Sequence, residues 1–148
     1  MITLRSVDEH SVEACASLQC TPDQRQFTNS PIWSLLETAY TPLKEHCELC
    51  AIYSDDVVVG MVRLDFTLHE EYYEFTNLLI DREHQRKHYA LDAIRQIIEL
   101  FRKDGRCELL RIHVAPENTA AIRLYQKLGF TFAGMSDDDI FRVYELAL

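Results

Sequence analysis

Residues 78–90, Leu-Leu-Ile-Asp-Arg-Glu-His-Gln-Arg-Lys-His-Tyr-Ala, constrain the fold more than any other stretch: an apolar run passes through a basic loop directly into a long amphipathic helix. The helix follows from Ala90, Leu91, Ile94, Ile97, Ile98 and Phe101, whose i, i+3, i+4, i+7 spacing lays one apolar stripe along a helical face. Gly105 stops it. A helix N-terminus presents unpaired N–H groups and the positive end of a dipole, and Arg86 and Lys87 add formal charge beside it. The segment therefore reads as an anion cradle suited to a pyrophosphate. It is not a P-loop, lacking Gly-Lys-Ser/Thr, nor a Rossmann fingerprint, since the loop contains no glycine.

The rest of the chain frames that cradle. Ile2 to Val7 reads as a strand and Glu9 to Leu18 as a helix with Val12, Cys15 and Ala16 inward, broken by Thr21-Pro22-Asp23. Ser30-Pro31 opens a second helix containing Trp33, Leu35, Leu36 and Tyr40, with Ser30 as N-cap. Strands at 49–53, 57–66 and 72–80 form an antiparallel meander, turned at Ser54-Asp55-Asp56 and at the polar corner around His69. After the long helix come a strand from Glu108 to Val114, a helix from Asn118 to Leu128 ended by Gly129, and closing strands near 130–133 and 140–146. The expected class is α+β, order β-α-α-β-β-β-α-β-α-β-β, an antiparallel meander joined to a parallel crossover.

At 148 residues the chain has the size of one domain, able to bury roughly 70% of its unfolded surface. Four Gly and four Pro argue against disorder. Five cysteines, an odd number, fit reduced thiols better than a disulfide framework. Cys47-x-x-Cys50 has no second ligand pair and leads into a strand that turns its members to opposite faces, so no metal site is expected. A net charge of −9 disfavours nucleic acid and anionic membrane surfaces. No run approaches the roughly eighteen apolar residues of a membrane span, and the start carries no apolar signal core, so a cytoplasmic protein is expected. Charge is uneven. Arg82, Arg86, Lys87, Arg95, Arg102, Lys103, Arg106 and Arg111 are expected to gather around the cradle, while Glu45, Glu48, Glu70, Glu71, Glu74 and Asp137 to Asp139 lie elsewhere.

Two segments carry a family resemblance. Gln85, His88 and Ala90 fall on the Gln/Arg-x-x-Gly-x-Gly/Ala spacing of the GNAT superfamily of N-acetyltransferases, with His88 where the family has its first glycine. Pro116 to Phe130 resembles the family's Asn-x-x-Ala-x-x-x-Tyr-x-x-x-Gly-Phe segment at every marked position. The resemblance covers essentially the whole chain and implies one N-acetyltransferase domain over 1–148. Its mixed sheet would splay a parallel strand pair at the cofactor site, and acetyl-CoA would be the cosubstrate. It implies cosubstrate contacts from the main chain at Leu79 and Ile80, from the loop residues Gln85, Arg86, Lys87, His88, Tyr89 and Ala90, and from Asn118.

It also implies that Tyr125 protonates the departing thiolate. On the bare pattern Asn118 reads first as an N-cap and Tyr125 as a core aromatic, and it is the resemblance that turns the reading to a functional one. Glu74 resembles the position of a general-base glutamate in some members; a water chain, Glu70, Glu71, a terminal carboxylate or His113 on the adjacent strand are alternatives for the base, and a solvated edge charge is the alternative for Glu74 itself. Period two would place Glu74 on the face of Thr76 and Leu78. Residues 21–39 loosely resemble the acceptor region of bacterial spermine/spermidine acetyltransferases, and an acidic protein suits a polycation. The expected partner is therefore a small-molecule amine, a polyamine or diamine first, with aminoglycosides, protein N-termini and other metabolites as alternatives. A homodimer is compatible with the resemblance. The reading from another class is a non-catalytic CoA-binding or partner-binding module, because His88 restores a Cβ where glycine would admit the phosphates.

Overall fold

The apolar stripe of residues 90–101 organises the molecule. In the computed structural model, which describes residues 1–148, it forms a 16-residue helix in which Leu91, Ala93, Ile94, Ile97, Ile98 and Phe101 are buried. Gly105 ends the helix in the left-handed conformation, φ 71°. In chain order the elements are β1 (Ile2–Ser6), α1 (Val12–Ala16), α2 (Pro31–Tyr40), β2 (Cys47–Ser54), β3 (Val57–Asp65), β4 (Glu74–Ile80), α3 (Tyr89–Asp104), β5 (Leu109–Val114), α4 (Thr119–Lys127), β6 (Thr131–Met135) and β7 (Arg142–Ala147). This is the expected order. No helix is long and apolar enough to cross a membrane.

The strands form two antiparallel sheets, β1-β2-β3-β4 and β5-β7-β6. They meet at a single parallel bridge between Tyr73 and Leu110, where Tyr73 N–H donates to the Leu109 carbonyl and Arg111 N–H to the Tyr73 carbonyl, each at 2.9 Å. Beyond that bridge β4 and β5 diverge. Tyr73 is fully buried, its ring stacked on Phe101 at 4.4 Å. Its hydroxyl donates to Asp104 and accepts from the N–H groups of Arg106 (2.7 Å) and Cys107 (3.2 Å), tying the apex of the wedge to the end of α3.

A β-bulge corrects one sequence expectation. Arg63 pairs with Thr76 and Met61 with Leu79, so Asn77 and Leu78 together oppose Val62, and Asn77 takes a positive φ of 53°. The extra residue reverses the side-chain alternation. Glu74 keeps the face of Thr76, but Leu78 packs with Phe75 against the α3 core instead of following them. Gly60 permits β4 to approach β3 closely here, since a Cβ on it would lie 2.3 Å from the Leu79 carbonyl oxygen.

The main core lies between the sheets and α3, where Ile94, Ile97 and Phe101 are completely buried. Each such side chain contributes about 1.5–3 kcal/mol. A smaller cluster on the other sheet face joins Cys15, Leu18 and Cys20 to Ala51, Met61 and Leu79. The first helix is shorter than the expected 9–18, because the Asp8 carboxylate accepts from the N–H groups of His10 and Ser11 and holds the preceding turn. Cys15 and Ser11 fill its inner face, and Val12, expected inward, is exposed. Ser30 caps α2 as expected, accepting from Trp33 N–H at 3.1 Å. That helix, however, buries Ser34 and Thr38 and leaves Trp33, Leu36 and Tyr40 exposed.

Candidate functional site

Divergence of β4 from β5 opens a cavity of about 740 Å³. Its walls are β4 from Glu74 to Ile80, the turn from His84 through Leu91, residues 113–115 of β5 and its exit, the inner face of α4, and the 24–29 loop. Every site residue expected from the sequence lines it except Lys87, whose ammonium lies 5.9 Å above the Tyr89 ring.

The cradle is built by backbone conformation. Arg86 and His88 both take left-handed φ values, 62° and 61°, so the glycine-free loop follows a path that favours glycine. Histidine is among the residues enriched there. His88 is the N-cap of α3 but makes no side-chain cap bond, and Tyr89, Ala90 and Leu91 of the first turn line the cavity. Gln85 acts as a buttress: its amide N–H donates to the Ile80 carbonyl at 3.0 Å and to Gln24 Oε1 at 2.8 Å.

The expected gathering of basic residues is not observed. Arg95, Arg102, Arg106 and Arg111 pair with Asp92, Glu99, Asp104 and Glu145, mostly within one turn or across one strand pair. Of the cationic side chains named from the sequence, Arg86 alone lines the cavity; Lys127 joins it from the far end of α4. Arg106 holds the Asp104 carboxyl down at about 2, with the Tyr73 hydroxyl adding to the effect.

Asn118 caps α4, its Oδ1 accepting from Ala121 N–H at 3.4 Å, and it also lines the cavity. Tyr125 packs edge-on against Phe75, centroids 6.1 Å apart, and against Phe130 at 5.7 Å. Burial pushes its phenol up to about 12, so it is protonated at neutral pH.

Glu74 is not a solvated edge charge. It is 8% exposed, with His69 Nε2 2.9 Å from one carboxylate oxygen and His113 Nδ1 3.1 Å from the other. His69 was not singled out from the sequence; a histidine at a strand corner five residues before Glu74 is the only local signal. Asp65, His69 and Glu74 hold ligand-type atoms within 4.8 Å of one another. The charge beside Asp65 is already supplied by Arg63, whose Nε bonds it at 2.8 Å and whose Nη1 lies 3.5 Å from Glu37. Cys47 and Cys50 fall on opposite faces of β2, as the strand period requires, with Cys50 in the α3 core.

The acetyltransferase (GNAT) family model matches residues 12–130. The chain belongs to that family. N-acetyltransferase 8 of Homo sapiens is 32% identical over 87 residues, a match spanning 56% of this chain and 38% of that protein. Among solved structures of the GNAT fold, spermidine N-acetyltransferase from Vibrio cholerae, in complex with CoA and spermine, superposes with TM-score 0.74 at 19% identity, covering 99% of this chain and 94% of the other. An aminoglycoside acetyltransferase in complex with coenzyme A gives 0.79 at 16% identity, covering 99% and 95%. The α+β class and the splayed strand pair expected from the sequence are therefore those of the family.

Proposed function

We propose that the chain is an acetyl-CoA-dependent N-acetyltransferase acting on a primary amine, with a polyamine or diamine as acceptor, through a single domain over residues 1–148. The observation that carries this is one cavity holding the anion cradle, the splayed end of β4, Tyr125 and Glu74 together. The residues fit the cosubstrate. The α3 N-terminus and Arg86 suit its diphosphate, and the main chain at Leu79 and Ile80, beyond the last bridge to β5, would hold an amide-bearing arm. Bound acetyl-CoA supplies an acyl carbon activated as a thioester.

Tyr125 holds a proton against neutral pH and would deliver it to sulfur. Glu74, paired with His113, serves the end where the amine gives up its protons, and Asn118 fixes the start of α4 beside the arm. Polyamine specificity is supported by the −9 charge and by the fold shared with the spermidine enzyme. A second reading, a monoamine acceptor, is favoured by one fact: Glu74 is the sole carboxylate lining the cavity, and Glu37 of the polyamine-like segment faces Arg63.

A thiol-release assay separates them. For a polyamine enzyme, kcat/KM for spermidine should exceed that for a monoamine of equal length by at least about tenfold, about 1.4 kcal/mol, shrinking as salt rises. Equal efficiency at low salt selects the monoamine. Calorimetry without CoA binding at millimolar ligand would remove the acetyltransferase reading.

A further inference from the structure

Glu74 lies between two imidazoles that approach it from different directions. His69 belongs to the corner before β4; His113 is on β5, across the wedge. A carboxylate only accepts hydrogen bonds, so the ring nitrogen facing each oxygen must carry the hydrogen: Nε2 of His69 and Nδ1 of His113. In the neutral rings the free lone pairs are then on His69 Nδ1 and His113 Nε2. The two rings differ in what they face. His113 lines the cavity with Glu74, whereas His69 does not and is stacked on Tyr72 with centroids 4.3 Å apart.

We infer that His113 Nε2, not the Glu74 carboxylate, takes the proton from the acceptor ammonium, with Glu74 and His69 as positioning residues behind it. The inference rests on the acetyltransferase reading above. Each Glu74 oxygen already accepts an imidazole N–H, and protonating the carboxylate would weaken both of those bonds, whereas a proton on His113 Nε2 leaves them in place. Glu74 instead selects the tautomer of His113 that leaves a basic nitrogen free. The charged groups around that ring are Glu74 on β4, Arg111 on its own strand, engaged by Glu145 of β7, and Asp138 from the turn before β7. His69 acts through Glu74. The hydrogen bond that His113 donates to Glu74 raises the pKa of the imidazole above its usual value against desolvation, with the charges of Glu74 and Asp138 adding and Arg111 opposing.

The proton count closes. As the N–C bond forms and the C–S bond breaks, an ammonium becomes an amide and its nitrogen loses two protons. One passes through His113 to water, since the side chain is 29% exposed. The other replaces the proton that Tyr125 gives to sulfur. The products are amide, thiol and one released proton.

The test is His113→Asn, whose amide nitrogen takes the place of Nδ1 and can donate to Glu74 but is not a base. At pH 7 kcat/KM should fall about 10²-fold, and the deficit should close as pH approaches the amine's own pKa, where solvent supplies free amine. Glu74→Gln should move the acidic limb of the wild-type profile to lower pH. CoA affinity by calorimetry should be unchanged in both, which also reports folding. Independently of any variant, ¹⁵N NMR of the wild type should place the neutral His113 proton on Nδ1. A proton on Nε2, or an active wild type whose rate and pH profile survive His113→Asn, overturns the inference and leaves the acetyltransferase standing. A wild type releasing thiol with no amine would sink the acetyltransferase reading instead, while the NMR result would still decide the tautomer.

Discussion

Tyr125→Phe removes one hydroxyl and keeps the ring that packs between Phe75 and Phe130, so stability should change by under about 1 kcal/mol. Its catalytic effect can be sized. The phenol is held at about 12 by burial, whereas a free thiol titrates near ~8.5, so complete proton transfer to a fully formed thiolate would be uphill by about 5 kcal/mol. Under the proposed mechanism Tyr125 therefore serves best as a hydrogen-bond donor while negative charge grows on sulfur, handing over the proton only as another arrives from nitrogen. A hydrogen bond to a charged group contributes about 1.5–3 kcal/mol, equivalent to roughly 10- to 150-fold in rate. Single-turnover thiol release, which isolates chemistry from product release, should thus fall about 10²-fold with CoA affinity unchanged. A single-turnover rate equal to wild type would make Tyr125 a core aromatic with no part in the reaction.

Two further predictions concern the frame. Gly60→Ala places a Cβ 2.3 Å from the Leu79 carbonyl oxygen and 2.9 Å from Ile80, so β4 must move; about 3 kcal/mol of stability should be lost in urea unfolding, and CoA binding weakened with it. Asp104 has a folded-state carboxyl at about 2, below its unfolded value, so its contribution is present above the ordinary carboxylate range and lost as pH falls from about 4 to about 2. Unfolding midpoints measured from pH 6 to pH 2.5 should therefore fall more steeply in the wild type than in Asp104→Asn, and parallel curves would refute the assignment.

The parts legible in the sequence are those set by local rules. The α3 stripe, its glycine stop, the Ser30 cap and the strand order depend on neighbours a few residues away, and they lie where the spacing puts them. The junction of loop and helix at residues 85–90 was legible for the same reason, although the left-handed φ of Arg86 and His88 was not: nothing local forces it without the helix and β4 in place. The bulge at Asn77 depends on register against β3, which no single strand encodes. The basic cluster was misread because a list of arginines omits their partners; Arg95 and Arg102 each meet a carboxylate three residues earlier. Glu74 was found by position, but its burial between His69 and His113 required the closure of a parallel crossover.

The hydroxyl of Tyr73 gives α3 a mechanical role. Sixteen residues make a strut about 24 Å long, whose C-terminal foot is clamped through Asp104 and the 106–107 backbone at the apex where the sheets join. Its other end carries the anion cradle. Because a packed helix transmits displacement better than it absorbs it, the angle between the two sheets and the position of the cradle vary as one quantity. On the proposed function, loosening the clamp would register some 24 Å away, as a weaker hold on the cosubstrate's phosphates, while Tyr125, Glu74 and His113 keep their own support.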